Sequence, residues 1–399
     1  MFVHPFTPPS APSPFGIQPL LPERAPASSS PAENSLPRYL NFIADYTGCG
    51  HWRMLWPEHV LNSYRHCVIQ SSTVMITDPK HFKGVNCVRV QRQASDTQKQ
   101  YLKYLKDNLK LRLIYEIDDI CFGEDIPDYN PFKQHFTAEQ TRHNIQEMME
   151  ICDEMTVTCP TMRDYFLKNT KQENITVIPN YLPRSWIGRM YDRKISSAVY
   201  DKNRKKPRVL YAGSSSHFDI HKKNNNVDDF THVKDDIINS IDKYQWVFLG
   251  GVPPSLNPYV DNGKIELHKW VHLFDYPYLV KHLNINAMVA PLADNVFNKC
   301  KSDIKYMEAS ALGIPIVCQN IETYNNVCKL LFDTGKQMIE HLDNLFNSKK
   351  QFNSTIERQF NSISKMWLEQ EPNRMKYHEL YTYKYGTSDR VNINKVNDS

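Results

Sequence analysis

The sequence alternates short apolar runs with amphipathic ones, and it does so in two series. The first series holds "RYLNFIADY" (38–46), "SSTVMITD" (71–78), "VNCVRVQRQ" (85–93), "RLIYEIDDI" (112–120), "EMTVTCP" (154–160) and "NITVIPN" (174–180). Between them "DTQKQYLKYLKDNL" (96–109) and "TAEQTRHNIQEMMEICD" (137–153) have helical spacing, the latter with Thr137 as its expected N-cap and Gln140 three residues on. The second series holds "RVLYAGSSS" (208–216), "QWVFLGG" (245–251), "KIELHKWV" (264–271), "INAMVAPL" (285–292) and "IPIVCQ" (314–319). Helical stretches at 235–244, 276–283 and 302–313 separate them. Short continuous apolar strands that alternate with helices are the mark of parallel sheets covered on both faces. The expected fold is therefore α/β, with two Rossmann-like, doubly wound domains facing each other across a cleft. Ligands of such sheets lie beyond the carboxyl ends of the strands.

The expected divisions are a Pro-rich arm (1–37), an N-terminal domain (38–190), a basic linker (191–207) and a C-terminal domain (208–365), followed by a tail (366–399). The arm is rich in Pro, Ser and Ala, which suits a disordered tether. It lacks the basic start and apolar centre of a signal peptide, and no apolar run is long enough to span a bilayer. The nine cysteines are odd in number and form no CxxC pair, so neither a disulfide framework nor a zinc site is expected. A reducing cytoplasm fits best. The net charge of +4 permits an anionic partner without requiring one.

The most informative stretch is "PLADNVFNKCKSDIKYMEASALGIPIVCQ" (291–319). A strand ends, a polar loop follows, and a helix begins beside Lys301 and Ser302. Backbone N–H groups and the helix dipole at such a start favour an anion. Ser302 is expected to cap the helix and Lys301 to add a point charge, together making a diphosphate site. Glu308 stands about two turns further on, and a carboxylate accepting from two vicinal hydroxyls suits a ribose.

This stretch resembles the nucleotide-sugar site of retaining GT-B glycosyltransferases of the family 4 type. Asp294, Asn295, Phe297, Asn298, Lys301, Ser302, Lys305, Glu308, Gly313 and Pro315 match the pattern. The resemblance implies a GT-B fold and a nucleotide diphosphate-sugar donor, with uridine the default base, and no required cofactor. It implies that Glu308 holds the donor ribose, and that Asp294, Asn295, Asn298, Lys301, Ser302 and Lys305 serve the diphosphate and sugar. A second glutamate frequent eight positions upstream is Cys300 here, and Asp294 or Asn295 would substitute. "VLYAGSSSHFDI" resembles the first strand and loop of the nucleotide domain, with Gly213, Ser214 and Ser215 allowing close backbone approach. "TGCGHWRMLWP" resembles the glycine-rich first loop, with Gly48 and Gly50 in a tight turn and Arg53 expected to reach the diphosphate. Where many members carry a His-Asp pair, this chain has Asp118 and Asp119, read as acceptor-hydroxyl ligands or base rather than a metal site. In this architecture the last helix returns to the N-terminal domain, which is the expectation for the tail.

"YEIDD" and "FGEDIPDYN" are similar to glycosyltransferases of T4-like phages, some of which glycosylate hydroxymethylcytosine in their own DNA. The resemblance therefore leans to double-stranded DNA as acceptor. "KNRKKPR" (202–208), "HKK" (221–223) and "MYDRK" (190–194) are the candidate phosphate contacts. A surface polysaccharide or lipopolysaccharide acceptor is the alternative. A third reading is a degenerate module that binds a nucleotide or DNA without turnover, motivated by Cys300 and Asp118.

Overall fold

The computed structural model describes residues 36–187, 200–201, 205–220 and 227–382. The arm up to residue 35, most of the basic linker, the basic runs 190–194 and 221–223, Lys202 to Arg204 and the tail from 383 lie outside the described residues. Among the described residues twelve strands form two six-stranded sheets, each parallel throughout. The first comprises β1 (Arg38–Phe42), β2 (Val68–Ser72), β3 (Val85–Gln91), β4 (Arg112–Glu116), β5 (Glu154–Val157) and β6 (Ile175–Val177), in the order β2-β1-β3-β4-β5-β6. The second comprises β7 (Arg208–Gly213), β8 (Gln245–Gly250), β9 (Ile265–His268), β10 (Ala287–Ala290), β11 (Ile316–Gln319) and β12 (Leu331–Phe332), in the order β12-β11-β10-β7-β8-β9. This is a GT-B arrangement of two Rossmann-like sheets. Every residue of β10 and β11 is buried, because helices cover both faces.

Strand order reverses between β1 and β3 in the first sheet and between β7 and β10 in the second. Neighbouring loops leave opposite faces at such a point and open a crevice. The loops after β1, β3, β7 and β10 carry Asp45, Arg92, Ser214 and the 292–303 segment, so the sequence places its polar groups where the topology leaves room.

Two local expectations are corrected. The second strand is Val68–Ser72, not 71–78: Val68 pairs with Arg38, while Val74 is exposed and Asp78 caps a short 3-10 turn. Thr137 does not cap the next long helix. That helix starts at Glu139 with Ala138 at its N-cap, and the Thr137 hydroxyl donates to the Lys133 carbonyl.

The chain crosses between the sheets twice, side by side. Leu182 N–H donates to the Met366 carbonyl (2.8 Å) and Leu368 N–H to the Leu182 carbonyl (2.9 Å). After this crossing the helix Glu371–Thr382 lies against the first sheet. Tyr381 stacks on Tyr39 (5.0 Å between centroids) and donates to Asn41 Oδ1 (2.6 Å).

Under the first sheet's carboxyl edge is a buried ionic cluster. Glu116, at the end of β4, accepts from Arg53 Nε (2.5 Å), from Arg89 of β3 and from Thr156 of β5, and all three charged side chains are fully buried. Burial opposes the Glu116 charge, but the two guanidiniums hold its carboxyl below the usual range. Removing one partner of such a cluster leaves uncompensated buried charge. Glu116→Ala is expected to cost about 3–5 kcal/mol in denaturant unfolding; a variant within 1 kcal/mol of the wild type, on the order of a surface change, would contradict this role.

Candidate active site

The helix Ile304–Ala311 starts just past the carboxyl end of β10. Lys305 and Glu308 follow at three-residue spacing, which puts them along one face, and Lys301 stands in the loop just before the helix. Tyr306 and Met307 N–H bond the Asp303 carbonyl, leaving the amides of Ile304 and Lys305 without a partner among the described residues. Such orphan donors suit an anion. Asp303 occupies the N-cap position with no side-chain cap bond, so Ser302 is not the cap. The Ser302 hydroxyl instead accepts from Asn180 Nδ2 (3.0 Å), across from the first sheet.

Lys301 Nζ lies 3.2 Å from Asp119 Oδ1 and 4.3 Å from the Phe297 ring centroid. Two predicted site residues thus meet across the cleft. Burial works against the Lys301 charge, but Asp119 and Asp229 more than offset it and raise its pKa. Lys305 Nζ sits 5.4 Å from the Tyr211 ring centroid. Burial pushes Lys305 down to about 8, with Glu308 opposing and Lys301 reinforcing the shift. Burial pushes Glu308 up to about 7, and Lys305 tempers the rise. The Glu308 carboxylate has no hydrogen-bond or ion-pair partner among the described residues. The nearby hydroxyls of Tyr211 and Tyr276 are buried and unpartnered as well. Unsatisfied polar groups packed together beside a helix start are the mark of a binding site.

On the opposite wall Arg92, in left-handed backbone (φ 47°), pairs with Asp45 (2.6 Å) and approaches Asp118 at 3.6 Å. Burial raises the Asp118 pKa, Arg92 lowers it and the neighbouring Asp119 raises it again. Gly48 and Gly50 do not form a tight turn: they are the first turn of a helical run that continues to Ser63, in which a Cβ on Gly50 would lie 1.9 Å from the Asp45 carbonyl oxygen while Gly48 faces open space. Gly213 ends β7, and Ser214 caps the short 3-10 turn Ser215–His217. Among the described residues no group of three or more His, Cys, Asp or Glu is arranged for a metal.

Four expected donor contacts are placed elsewhere. Arg53 does not reach the cleft: it is fully buried on Glu116, the Ile178 carbonyl (2.7 Å) and Asn180 Oδ1 (3.0 Å). Asn298 is fully buried, its Nδ2 donating to Asp229 (2.7 Å), Tyr129 and the Ala293 carbonyl. Asn295 caps the turn Val296–Lys299 and donates to Tyr129. Asp294 points outward, its side chain 80% exposed and paired with Lys299. Cys300 and Phe297 are buried in the apolar core of the first sheet, so this part of the loop docks the two halves together.

Sequence reasoning missed the anchor of that docking. Tyr129, from the loop after β4, donates to Asp229 Oδ1 (2.8 Å) in the second half, and Asp229 also accepts from Ala293 N–H (2.8 Å) and His217 Nδ1 (2.6 Å). Asp229 lies beyond a stretch with no recognisable pattern; only His217, inside the quoted "SSSHFDI", offered a signal.

No protein-family model matches the chain, and no curated protein is similar to it in sequence. Solved structures are similar in fold. Anabaena HepE in complex with UDP and glucose matches with a TM-score of 0.55 and 10% identity, over 87% of this chain and 100% of that one. The same protein with UDP-glucose gives 0.54, 10%, 87% and 99%. A glycosyltransferase from Rickettsia africae gives 0.52, 11%, 87% and 98%. The fold is thus the GT-B glycosyltransferase fold.

Tyr129→Phe removes the shared hydroxyl and leaves Asn298 and Asp229 short of a partner. It is expected to lower stability by about 1–3 kcal/mol and to speed amide exchange in 118–130; unchanged exchange there would contradict the docking role.

Proposed function

We propose that this protein transfers a sugar from a nucleoside diphosphate-sugar to a hydroxyl. The observation that carries the reading is the unpartnered Glu308 carboxylate, on one helix face with Lys305, with Lys301 and free helix amides at the helix start beside the β7/β10 crevice. Glu308 accepts from the two ribose hydroxyls. Lys301 and the Ile304 and Lys305 amides meet the diphosphate, whose charge grows as the sugar–oxygen bond breaks. The Gly213–Ser215 turn lies along the same crevice, and Gly48–Gly50 line the opposite wall. Uridine is the first choice of base, because structures of this fold are described with UDP and UDP-glucose. Retention of configuration rests on the family 4 resemblance.

The acceptor lies against Asp118 and Asp119, either of which would orient or deprotonate its hydroxyl. The loop behind them carries Glu124, paired with Arg142 (3.3 Å), Asp128, paired with Lys133 (2.7 Å), and Asp125. The reading of hydroxymethylcytosine DNA as acceptor leaned on basic runs largely outside the described residues, and Arg208 is held by Glu266 at 2.5 and 2.7 Å. A carbohydrate hydroxyl is accordingly taken as the first acceptor to test and DNA as the second. Donor turnover separates both from a module that only binds.

The test is release of nucleoside diphosphate from a donor panel, with mass spectrometry of a glycan panel and of hydroxymethylcytosine DNA. UDP release and a sugar increment on a glycan are expected; tight UDP binding with no release from any donor would overturn the reading. Glu308→Gln should lower kcat/KM by about 10–100-fold, and Lys301→Ala by about 100–1,000-fold, with the fold retained by circular dichroism.

The pH profile of kcat/KM follows from the two shifted groups. Glu308 accepts as a carboxylate, so activity falls as pH drops below about 7. Lys305 acts as an ammonium, so activity falls as pH rises past about 8. A narrow bell between those limbs is expected, its acid limb lost in Glu308→Gln; a flat profile from pH 5 to about 10 would contradict it.

A further inference from the structure

His217 stands at the same crevice and has no part in the site described above. Its Nδ1 is 2.6 Å from Asp229 Oδ2. Asp229 Oδ1 accepts from Tyr129 OH, Ala293 N–H and Asn298 Nδ2, and the Asp229 N–H donates to the His217 carbonyl (3.2 Å). With four donors around it and no exposure, Asp229 stays ionised, and these bonds hold it below the usual carboxylate range against its burial. An ionised carboxylate only accepts, so Nδ1 carries the proton. In the neutral ring Nε2 is then a bare acceptor. It has no partner among the described residues, and a tenth of the side chain is exposed. The ring lies 6.2 Å from that of Tyr211, which Lys305 Nζ caps at 5.4 Å. The groups that bear on the imidazole are Lys305 from the helix after β10, Lys301 from the loop before it, Asp229 beside it, and Tyr211 of β7; Asp228 and Tyr129 bear on it through Asp229. Burial and the two ammonium groups keep the ring neutral, holding its pKa down to about 4.

A neutral imidazole, its Nε2 a bare acceptor, is a poor neighbour for an anion, and an imidazolium is a good one. On the proposed reading a diphosphate enters between the ring and those lysines and cancels their field. We infer that His217, oriented by Asp229, is a further diphosphate-contacting residue that takes one proton from solvent on Nε2 as the nucleotide binds and donates it as a hydrogen bond to a phosphate oxygen. The proton returns to solvent when the nucleoside diphosphate leaves, and no covalent bond forms or breaks. The carboxylate that fixes the ring also receives Tyr129, so the same group links anion binding to docking of the two halves.

This inference rests on the diphosphate lying at Lys301 and Lys305, and the test keeps the two apart. The full chain is titrated with UDP at pH 7 while the histidine Cε1–H resonances are followed by NMR. His217 is recognised as a ring still neutral below pH 6, and by its loss in His217→Asn, which keeps a donor towards Asp229. The expected result is movement of that resonance to the imidazolium position at saturating UDP, with UDP affinity about 10–100-fold weaker in His217→Asn. Saturation with UDP while the resonance stays neutral overturns the inference and leaves the proposed function standing. No binding of UDP or of any other nucleoside diphosphate overturns both. If His217→Asn does not fold, the wild-type titration alone decides.

Discussion

The first half of the molecule is built around one buried carboxylate. Glu116 draws two arginines out of water, and its position at the end of β4 fixes where they lie. Arg53 is thereby tied to the first sheet, and it carries with it the helix start at Gly48–Gly50. Its second nitrogen holds Asn180, and Asn180 holds Ser302 beside the helix start of the other half. A charge cluster that looks purely internal is therefore two hydrogen bonds from the anion site. Desolvation of three charges is costly, and only near-complete pairing makes it tolerable. That constraint leaves little freedom in where the cleft wall can stand.

Two further ties cross the cleft. Lys301 meets Asp119, and Tyr129 meets Asp229. The first is partly exposed, and an arriving diphosphate would compete with Asp119 for the ammonium. The second is buried and multiply bonded. The wall that holds the acids is thus fastened at one point and adjustable at another, an arrangement suited to a cleft that binds an anion and then an acceptor.

Much of the architecture was legible in the sequence because it depends on local pattern. Runs such as "INAMVAPL" and "IPIVCQ" admit little but buried parallel strands, and the helix carrying Lys305 and Glu308 follows from spacing alone. What stayed hidden depends on distant partners. Arg53 looked like a cleft residue because it follows a pair of glycines, yet its fate is set by Glu116 and Asn180, 63 and 127 residues away. Asn295 and Asn298 looked like ligands because they are polar and stand in a loop; Tyr129 and Asp229 turn them inward. Polarity predicted a need for partners at each position, and only the fold decides whether those partners are protein or ligand.

The central claim is that Glu308 and the helix start beside Lys301 together form a nucleotide site. The most direct measurement is a crystal structure of the protein soaked with UDP. The account predicts both ribose hydroxyls within hydrogen-bond distance of the Glu308 carboxylate and the diphosphate against Lys301 and the first helix amides. A nucleotide bound elsewhere, with that carboxylate left facing solvent, would contradict it.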